Sequence, residues 1–211
     1  MTAAKSIKPG PRDEKGVLAA RILDAARESF AEHGMAGTTV RGVARAADVD
    51  PALVYHYYGS KNELLDACTR PPPEFLEGVA SIWGSPRREL GVRLITNLLE
   101  IWIDERLAPI IRSILLIAEH DPGTKEKLRL VIESSLMGPA LNELEEPERA
   151  IRAGLVSTQL IGMAFVRYVW KVDPIASMSD AEIIVAVAPN LQHFIDGDIA
   201  IARQRPPRPK V

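Results

Sequence analysis

Residues 38–61, TTVRGVARAADVDPALVYHYYGSK, constrain the fold more than any other part of this sequence. Thr38 and Thr39 have side chains that can cap a helix. Apolar residues then recur at helical spacing, at Val40, Val43, Ala44 and Ala47. The pattern stops at Asp48, a residue type that tolerates the left-handed conformation of helix ends. Asp50 is a good N-cap and Pro51 suits the first turn of a second helix. The segment predicts two short helices joined by a tight turn.

The second of these helices should cover residues 52–58. Val54 and Tyr58 are four residues apart and can share one buried face. The opposite face would present Ala52, Leu53 and His56, with Tyr55 and Tyr57 on its flanks. Gly59 would end the helix, and Ser60 could cap the next one. A second helix with exposed polar and aromatic groups is typical of a DNA reader in a major groove. From geometry alone, a helical hairpin inside a larger bundle is an equally good interpretation.

The sequence of residues 25–65 also resembles the DNA-binding domain of the TetR family of transcriptional repressors. The resemblance is carried by AARESFAEHG, TTV, VARAADV, LVYHYY and SKNELL, in the family's order and at its spacing. Asp48 stands where glycine is usual, Asp50 where Ser or Thr is common, and Tyr58 where Phe is common. Each departure keeps the physical role of its position.

The resemblance implies an all-α protein. An N-terminal three-helix, helix-turn-helix DNA-binding domain would be followed by a larger helical ligand-binding and dimerisation domain, with about nine or ten helices in all. It implies a DNA-binding transcriptional regulator, most simply a ligand-responsive repressor that binds an inverted-repeat operator as a dimer. The alternatives are a TetR-like activator, or a helical protein-interaction module without DNA binding.

Proline and charge patterns divide the chain into four parts. These are a disordered N-terminal arm (1–13), the helix-turn-helix domain (14–70), the ligand-binding and dimerisation domain (71–198), and a disordered basic tail (199–211). Three consecutive prolines, 71–73, interrupt any helix. In the resembling family a fourth helix links the two domains, so here we expect that helix to be broken or short.

The apolar spacing predicts where the helices and the small core lie. A first helix is expected from about residue 14 to 33, with Gly34 as its C-terminal cap and an apolar stripe of Ile22, Leu23, Ala26 and Phe30. Phe30, Val43, Val54 and Leu64 are the predicted core of the DNA-binding domain. Later helices are expected at about 74–83, 87–104, 107–120, 123–136, 147–171 and 179–196.

The last two predicted helices are unusually apolar. Small residues such as Gly154 and Gly162 would let another helix approach closely. Two helices this apolar bury more surface than one flank of a monomer usually covers. In the resembling family they pair with their twins in a four-helix interface. The expected interface residues are Leu155, Gly162, Val166, Ile184, Val187, Leu191 and Phe194. The alternative is that both are central helices of a monomeric bundle.

The resemblance assigns DNA contacts to particular positions. Arg41 could bond a guanine edge in bidentate fashion, and Thr39 would meet a phosphate. Contacts to the DNA backbone, which set register without reading sequence, are implied for Tyr55, Tyr57 and Lys61. His56 reaches a base or a phosphate, or is simply solvated. The residues expected to face the groove are Pro51, Ala52, Leu53 and Tyr55.

The resemblance also implies a small-molecule effector in the larger domain. Apolar residues that could line its pocket are Trp83, Trp102, Met163, Phe165, Tyr168 and Trp170. Polar anchors could be Glu119, His120, Asn97 or Gln159. Taken one at a time, each of these residues fits the core or the surface better than a ligand contact.

Charge and cysteine usage bound the remaining possibilities. Net charge is −2, and residues 1–70 hold ten Lys/Arg against nine Asp/Glu, a balance of +1 that suits a local DNA-binding face. Cys68 is the single cysteine, so an intramolecular disulfide and a Cys-rich zinc site are excluded. We expect it to act as a small apolar residue; a redox-sensing thiol is the lesser alternative.

Other functional classes find little support in the sequence. The uncharged stretch 153–166 is too short to span a bilayer, and the N-terminus lacks the apolar core of a signal peptide, so we expect a cytoplasmic protein. The sequence contains no G-x-S-x-G, no H-E-x-x-H and no phosphate-binding glycine loop. We therefore expect neither an enzyme nor a bound cofactor or metal. The expected partners are double-stranded DNA, a second copy of the chain and a small effector, with no membrane.

Overall fold

The computed structural model describes residues 11–136, 144 and 148–199. Within them the secondary structure is entirely helical, which confirms the predicted all-α fold. The α-helices are α1 Pro11–Gly37, α2 Val40–Ala46, α3 Pro51–Tyr58, α4 Lys61–Cys68, α5 Pro73–Ile82, α6 Leu90–Ile103, α7 Leu107–His120, α8 Pro122–Leu136, α9 Glu148–Ala164 and α10 Asp180–Asp196. A 3₁₀ turn, Arg87–Glu89, precedes α6, and a π-helix, Phe165–Val169, follows α9.

The predicted terminal segments fall largely outside the described residues. Of the arm 1–13, residues 1–10 lie outside them, whereas 11–13 belong to α1. Of the tail 199–211, only residue 199 is described. No helix in the described part of the chain is both long enough and apolar enough to cross a membrane.

The chain folds as two compact units. The first consists of the residues up to Arg70 together with Ser113–Lys125, and the second of Pro71–Arg112 with the residues from Glu126 onward. The return of residues 113–125 to the first unit was not part of the predicted division, which assigned them to the larger domain. The spacing of apolar residues in 113–125 does not indicate which unit they join, because an amphipathic helix shows which face is apolar but not which core will cover it.

The core of the first unit is built on α1. Its apolar stripe packs Ile22, Ala26 and Phe30 against α2, α3 and α4, and Ile117 of α7 joins them. The four residues predicted for this core, Phe30, Val43, Val54 and Leu64, are all buried, as expected. Cys68 is part of the same cluster and is fully buried, which agrees with its predicted role as a small apolar residue.

The helices of the first unit end and begin at the residues that the sequence predicted. Gly34 has φ 63° and interrupts α1 where a cap was expected. Asp48 has φ 50°, the left-handed conformation that an aspartate can adopt in place of glycine. Gly59 has φ 68°, and the Ser60 hydroxyl accepts a hydrogen bond from the Glu63 amide at 3.2 Å. Helix α4 ends at Cys68 and α5 begins at Pro73, so the proline run does separate two helices.

The core of the second unit lies between α6, α9 and α10. Helix α10 begins with a capping box in which Ser179 and Glu182 satisfy each other's backbone amides. Two residues predicted for a dimer interface, Val187 and Leu191, are instead buried in this core. The correction has a simple cause: α10 is apolar around much of its circumference, and its most apolar side packs within the chain.

The helix predicted for residues 147–171 is also corrected in its second half. Regular α9 ends at Ala164 and the backbone continues as the π-helix Phe165–Val169.

The guanidinium of Arg152 on α9 is buried and makes hydrogen bonds to the end of α10. Its Nη1 donates to Phe194 O at 3.0 Å and its Nη2 to Gly197 O at 2.9 Å, while Glu148 accepts the remaining bonds.

Candidate nucleic-acid interface

The start of α3 is fixed by the residues that the sequence indicated. The Asp50 carboxylate accepts a hydrogen bond from the Ala52 amide at 2.7 Å, and Pro51 occupies the first turn. Val54 is buried beneath the helix. This arrangement satisfies an amide that the helix start would otherwise leave without a partner, so a helix of only two turns can form.

Two polar contacts from α1 hold the helix-turn-helix segment in place. The Tyr58 hydroxyl donates a hydrogen bond to the Ala19 carbonyl at 2.7 Å. Arg21 reaches the turn, where its Nε donates to Ala47 O at 3.0 Å and its Nη2 to Asp48 O at 2.9 Å. Burial raises the pKa of Tyr58, so this hydroxyl stays protonated and can donate. The turn and both helices are therefore tied to one scaffold.

The contact made by Arg21 was missed at the level of sequence. Its position directly before Ile22, at the edge of the apolar stripe, is the only local signal.

The sequence offers both Thr38 and Thr39 as caps of α2. The structure gives the cap to Thr39, whose hydroxyl accepts from the Gly42 amide at 3.0 Å. Thr38 is buried instead and accepts a hydrogen bond from the Ser29 hydroxyl at 3.1 Å.

One face of α3 is left open to solvent. Ala52, Tyr55 and His56 are exposed, and Tyr55 keeps 54% of its surface accessible. Pro51 and Leu53 are half-buried. Tyr57 is also half-buried, packs against the small core, and meets the His56 ring edge-on at 5.4 Å between centroids. Large exposed aromatic side chains on a rigid helix are suited to contact with a partner surface.

The other predicted DNA contacts lie at the helix ends near α3. Thr39 and Arg41 are exposed at the start of α2, and Lys61 is half-buried at the start of α4. The Thr39 hydroxyl accepts its capping bond through oxygen, so its proton stays available for a phosphate. Helix starts carry partial positive charge and unpaired amides, which favour phosphate binding.

The second unit contains most of the predicted pocket residues. Trp102 and Tyr168 stack with ring centroids 4.8 Å apart. Trp83, Met163 and Tyr168 each pack against the larger core. The rings of Phe165 and Trp170 lie 5.3 Å apart. Among the suggested anchors, Gln159 is half-buried and Asn97 lies near Gly78.

Two suggested anchors belong elsewhere. Glu119 and His120 are exposed residues of the first unit, where His120 lies close to Gly34 of α1. The second unit by itself therefore does not supply them to the aromatic residues around Tyr168. The polar group closest to this stack is one that the sequence did not indicate: the Arg167 guanidinium carbon lies 5.4 Å from the centroid of the Tyr168 ring.

Helices α9 and α10 also carry exposed surface. On α9, Gly154, Thr158 and Gly162 form an exposed stripe, and open space surrounds both glycines where a Cβ would stand. On α10, Val185 is an apolar residue with 76% of its surface accessible. The half-buried residues beside these faces include Leu155, Val166, Ile184 and Phe194.

The all-helical fold and the exposed face of α3 define a protein of the helix-turn-helix class. Residues 22–68 match the family of bacterial regulatory proteins, tetR family, and residues 88–195 match the tetracyclin repressor-like C-terminal domain. The chain belongs to the TetR family. It is a DNA-binding transcriptional regulator and not an enzyme. In the described residues no group of His, Cys, Asp and Glu is arranged to hold a metal ion.

Individual relatives agree with this assignment. Over 49 residues the chain is 51% identical to the HTH-type transcriptional regulatory protein RaaS of Mycobacterium tuberculosis, and this matched segment makes up 23% of each chain. Over 51 residues it is 41% identical to the HTH-type transcriptional regulator BetI of Burkholderia thailandensis, and this matched segment makes up 24% of this chain and 26% of BetI. The match thus spans about a quarter of these relatives. A TetR-family regulator structure from Streptomyces coelicolor has TM-score 0.59 at 27% identity, covering 89% of this chain and 99% of that one.

Proposed function

We propose that this protein is a ligand-responsive repressor that binds an inverted-repeat operator as a homodimer. The observation that carries the proposal is the open face of α3, held rigidly while Ala52, Tyr55 and His56 remain exposed. A helix of this length and exposure fits the major groove of B-DNA. Such a regulator acts on the chromosome, which places it in the bacterial cytoplasm.

Within the interface we assign two kinds of contact. Arg41, exposed on α2, reads base edges, and the groove-facing residues of α3 add apolar contact to thymine methyl groups. Thr39, Tyr55, Tyr57 and Lys61 bind phosphates, which gives affinity and register without reading sequence. The ring of His56 lies against Tyr57, and we assign it a contact with a base or a phosphate.

Helices α9 and α10 would form the interface between the two copies of the chain. The exposed stripe of Gly154, Thr158 and Gly162 lets a partner helix approach closely, and exposed Val185 offers apolar surface on α10. Leu155, Val166, Ile184 and Phe194 lie half-buried beside these faces and would become covered. An isologous dimer presents two α3 helices to successive major grooves, so the operator should be an inverted repeat.

The second unit would hold the effector beside the stacked rings of Trp102 and Tyr168. A ligand lowers DNA affinity only if it binds the DNA-incompetent state more tightly than the DNA-bound state. Repression rather than activation follows if the operator overlaps the promoter of the regulated gene.

Selection of bound DNA from a random pool tests the proposal directly. The purified protein should enrich an inverted repeat whose half-sites lie about one helical turn apart. A gel shift with DNA flanking its own gene should confirm the enriched site. Enrichment of a single half-site would contradict the dimer, and absence of any shift at low salt would contradict operator binding. A reporter fused to the enriched site separates repression from activation.

A further inference from the structure

The turn between α2 and α3 is bound to α1 by one arginine. Arg21 Nε donates to Ala47 O at 3.0 Å, and its Nη2 donates to Asp48 O at 2.9 Å. Both acceptors come directly after the last residue of α2, where carbonyl groups have no amide partner within the helix. A planar guanidinium with two directed bonds fixes both the position and the orientation of its acceptors. The turn is therefore held at two adjacent peptide groups.

The other contacts of the turn do not relate it to α1 in this way. The Asp48 and Val49 amides donate to carbonyl groups of α2, at 3.2 and 2.9 Å. These bonds shape the turn, but they join it only to the helix that precedes it. Ala47 is also buried in the core of the first unit, yet apolar packing has no preferred direction. Arg21 thus adds directed bonds between α1 and the turn.

The backbone of the turn adopts a conformation that few residue types favour. Asp48 has φ 50°, in the left-handed region, which costs free energy for any residue with a Cβ. Hydrogen bonds from Arg21 to the carbonyl groups on either side of this conformation help to select it. The guanidinium also lies at the C-terminal end of α2, where a positive charge is favourable.

The geometry of this turn decides what the start of α3 can reach. The turn leads directly into the Asp50 cap and into Pro51 and Ala52. In helix-turn-helix proteins the first residues of the second helix contact base edges. Arg41 is exposed on α2, on the other side of the turn. Because bidentate base contacts require close alignment, both sets of residues meet their bases only if the turn is held in one geometry.

We propose that Arg21 is a positioning residue for sequence recognition, which fixes the turn so that Arg41 and the start of α3 reach base edges together. This inference rests on the proposed operator binding and adds to it a residue outside the helix-turn-helix pair. Without the two bonds, the protein should discriminate less between its operator and other DNA. General affinity should persist, since the phosphate contacts assigned to Thr39 and Lys61 do not read sequence.

Titrations of the full chain with its selected operator and with scrambled DNA, by fluorescence anisotropy over a range of salt concentrations, test the proposal. We expect Arg21→Gln to lower the ratio of operator affinity to scrambled-DNA affinity about tenfold, the cost of one misaligned bidentate base contact. Arg70→Gln removes an equal charge from an exposed position of the same unit and is the control, which should keep the ratio. Scrambled-DNA affinity should be the same in both variants.

Two results of these titrations overturn the proposal. The first is a ratio in Arg21→Gln that equals the wild-type ratio. The second is an equal loss of affinity for both DNAs together with a salt slope reduced by about 1, which would make Arg21 a phosphate contact.

Unfolding measurements separate a positioning role from a purely structural one. Arg21 is exposed, so water can bond the two carbonyl groups in Arg21→Gln, and the free energy of unfolding should fall less than in Tyr58→Phe. Tyr58→Phe removes the bond to α1 at the other end of α3 and should keep the operator preference. If Tyr58→Phe lowers the affinity ratio as much as Arg21→Gln does, general loosening of the unit explains the loss and the proposal fails.

A conservative substitution distinguishes directed bonding from charge. Arg21→Lys keeps the charge without the planar fork, so it should keep the salt slope and still show a reduced affinity ratio. Full recovery of the ratio in Arg21→Lys overturns the proposal, because charge alone would then suffice. The wild-type protein is measured in parallel. A wild type without any operator preference removes the proposed function, whereas a wild-type preference that Arg21→Gln retains removes only this inference.

Discussion

Gly91 of α6 lies so close to Ala188 of α10 that a Cβ on Gly91 would stand 2.5 Å from the Ala188 carbonyl oxygen. The Gln192 side chain joins the same contact, since its Oε1 accepts from the Gly91 amide at 2.9 Å and its Nε2 donates to Arg87 O at 3.0 Å. The two helices therefore meet backbone to backbone, and only glycine permits this approach. This contact fixes the face of α10 that is turned inward.

Substitution of this glycine should separate the two helices. We expect Gly91→Ala to lower the free energy of unfolding by about 2–3 kcal/mol, because the obstructing atoms belong to backbone that cannot move aside cheaply. Gly16→Ala, at an exposed helical glycine with nothing within 4 Å of the added methyl, is the control and should stabilise by about 0.5–1 kcal/mol. Urea unfolding followed by circular dichroism measures both; equal effects would refute the close contact.

Tyrosines 55 and 58 should separate stability from DNA binding. Tyr58→Phe removes the bond to Ala19 and should lower the free energy of unfolding by about 1 kcal/mol. Tyr55→Phe removes an exposed hydroxyl, so it should leave stability unchanged and weaken operator binding through loss of a phosphate contact. Thermal unfolding and a fluorescence-anisotropy titration with operator DNA test the pair. The opposite pattern would contradict both assignments.

Arg41 and Lys61 should affect DNA binding in different ways. Lys61→Ala should weaken binding to all sequences alike and reduce the salt slope by about 1, as expected for one phosphate contact. Arg41→Ala should relax the preference at one base position, at a cost of about 1–3 kcal/mol for the preferred base. Titrations with operator and scrambled DNA over a range of salt concentrations distinguish them. Loss of sequence preference in Lys61→Ala alone would contradict its role.

Cys68 should make stability depend on alkaline pH. Burial raises the pKa of the Cys68 thiol from 9.0 to about 12. The folded state then holds this proton more tightly than the unfolded chain, so stability present below pH 9.0 is lost as pH rises towards 12. Urea unfolding should show a fall of at most about 1.4 kcal/mol per pH unit that Cys68→Ala lacks. Because Cys68 also raises the pKa of Tyr58, both proteins are compared in a Tyr58→Phe background, which isolates the thiol. Parallel pH profiles would contradict this prediction.

A charge on the exposed side of α10 should prevent dimer formation without unfolding the chain. Val185→Glu would bury an unpaired carboxylate in the proposed interface and should weaken the dimer roughly hundredfold. Val92→Glu places the same charge on the exposed side of α6, where Val92 is 46% accessible, and is the control. Sedimentation velocity over a concentration series measures both. A Val185→Glu protein that dimerises like the wild type would place the interface elsewhere.

The sequence predicted local structure best where one residue type sets the backbone. The aspartates at positions 48 and 50, Pro51 and the glycines at 34 and 59 marked the joints, since capping and left-handed conformations depend on neighbours within a few residues. Apolar spacing likewise identified Phe30, Val54 and Leu64 as core. The choice of DNA-facing residues depended on the family resemblance, and their individual contacts stay predictions.

Tertiary structure decided which apolar faces are covered and which polar groups meet. Val187 and Leu191 belong to the core shared with α6 and α9, and residues 113–125 join the first unit, because packing partners far apart in the chain select among equally apolar surfaces. Arg21 meets Ala47 across 26 residues of sequence, and Arg152 meets Phe194 across 42. The sequence alone thus indicated a helix-turn-helix protein of this family, through the resemblance that residues 25–65 carry. Long-range hydrogen bonding, which no local pattern encodes, tied α3 to α1 and α9 to the end of α10.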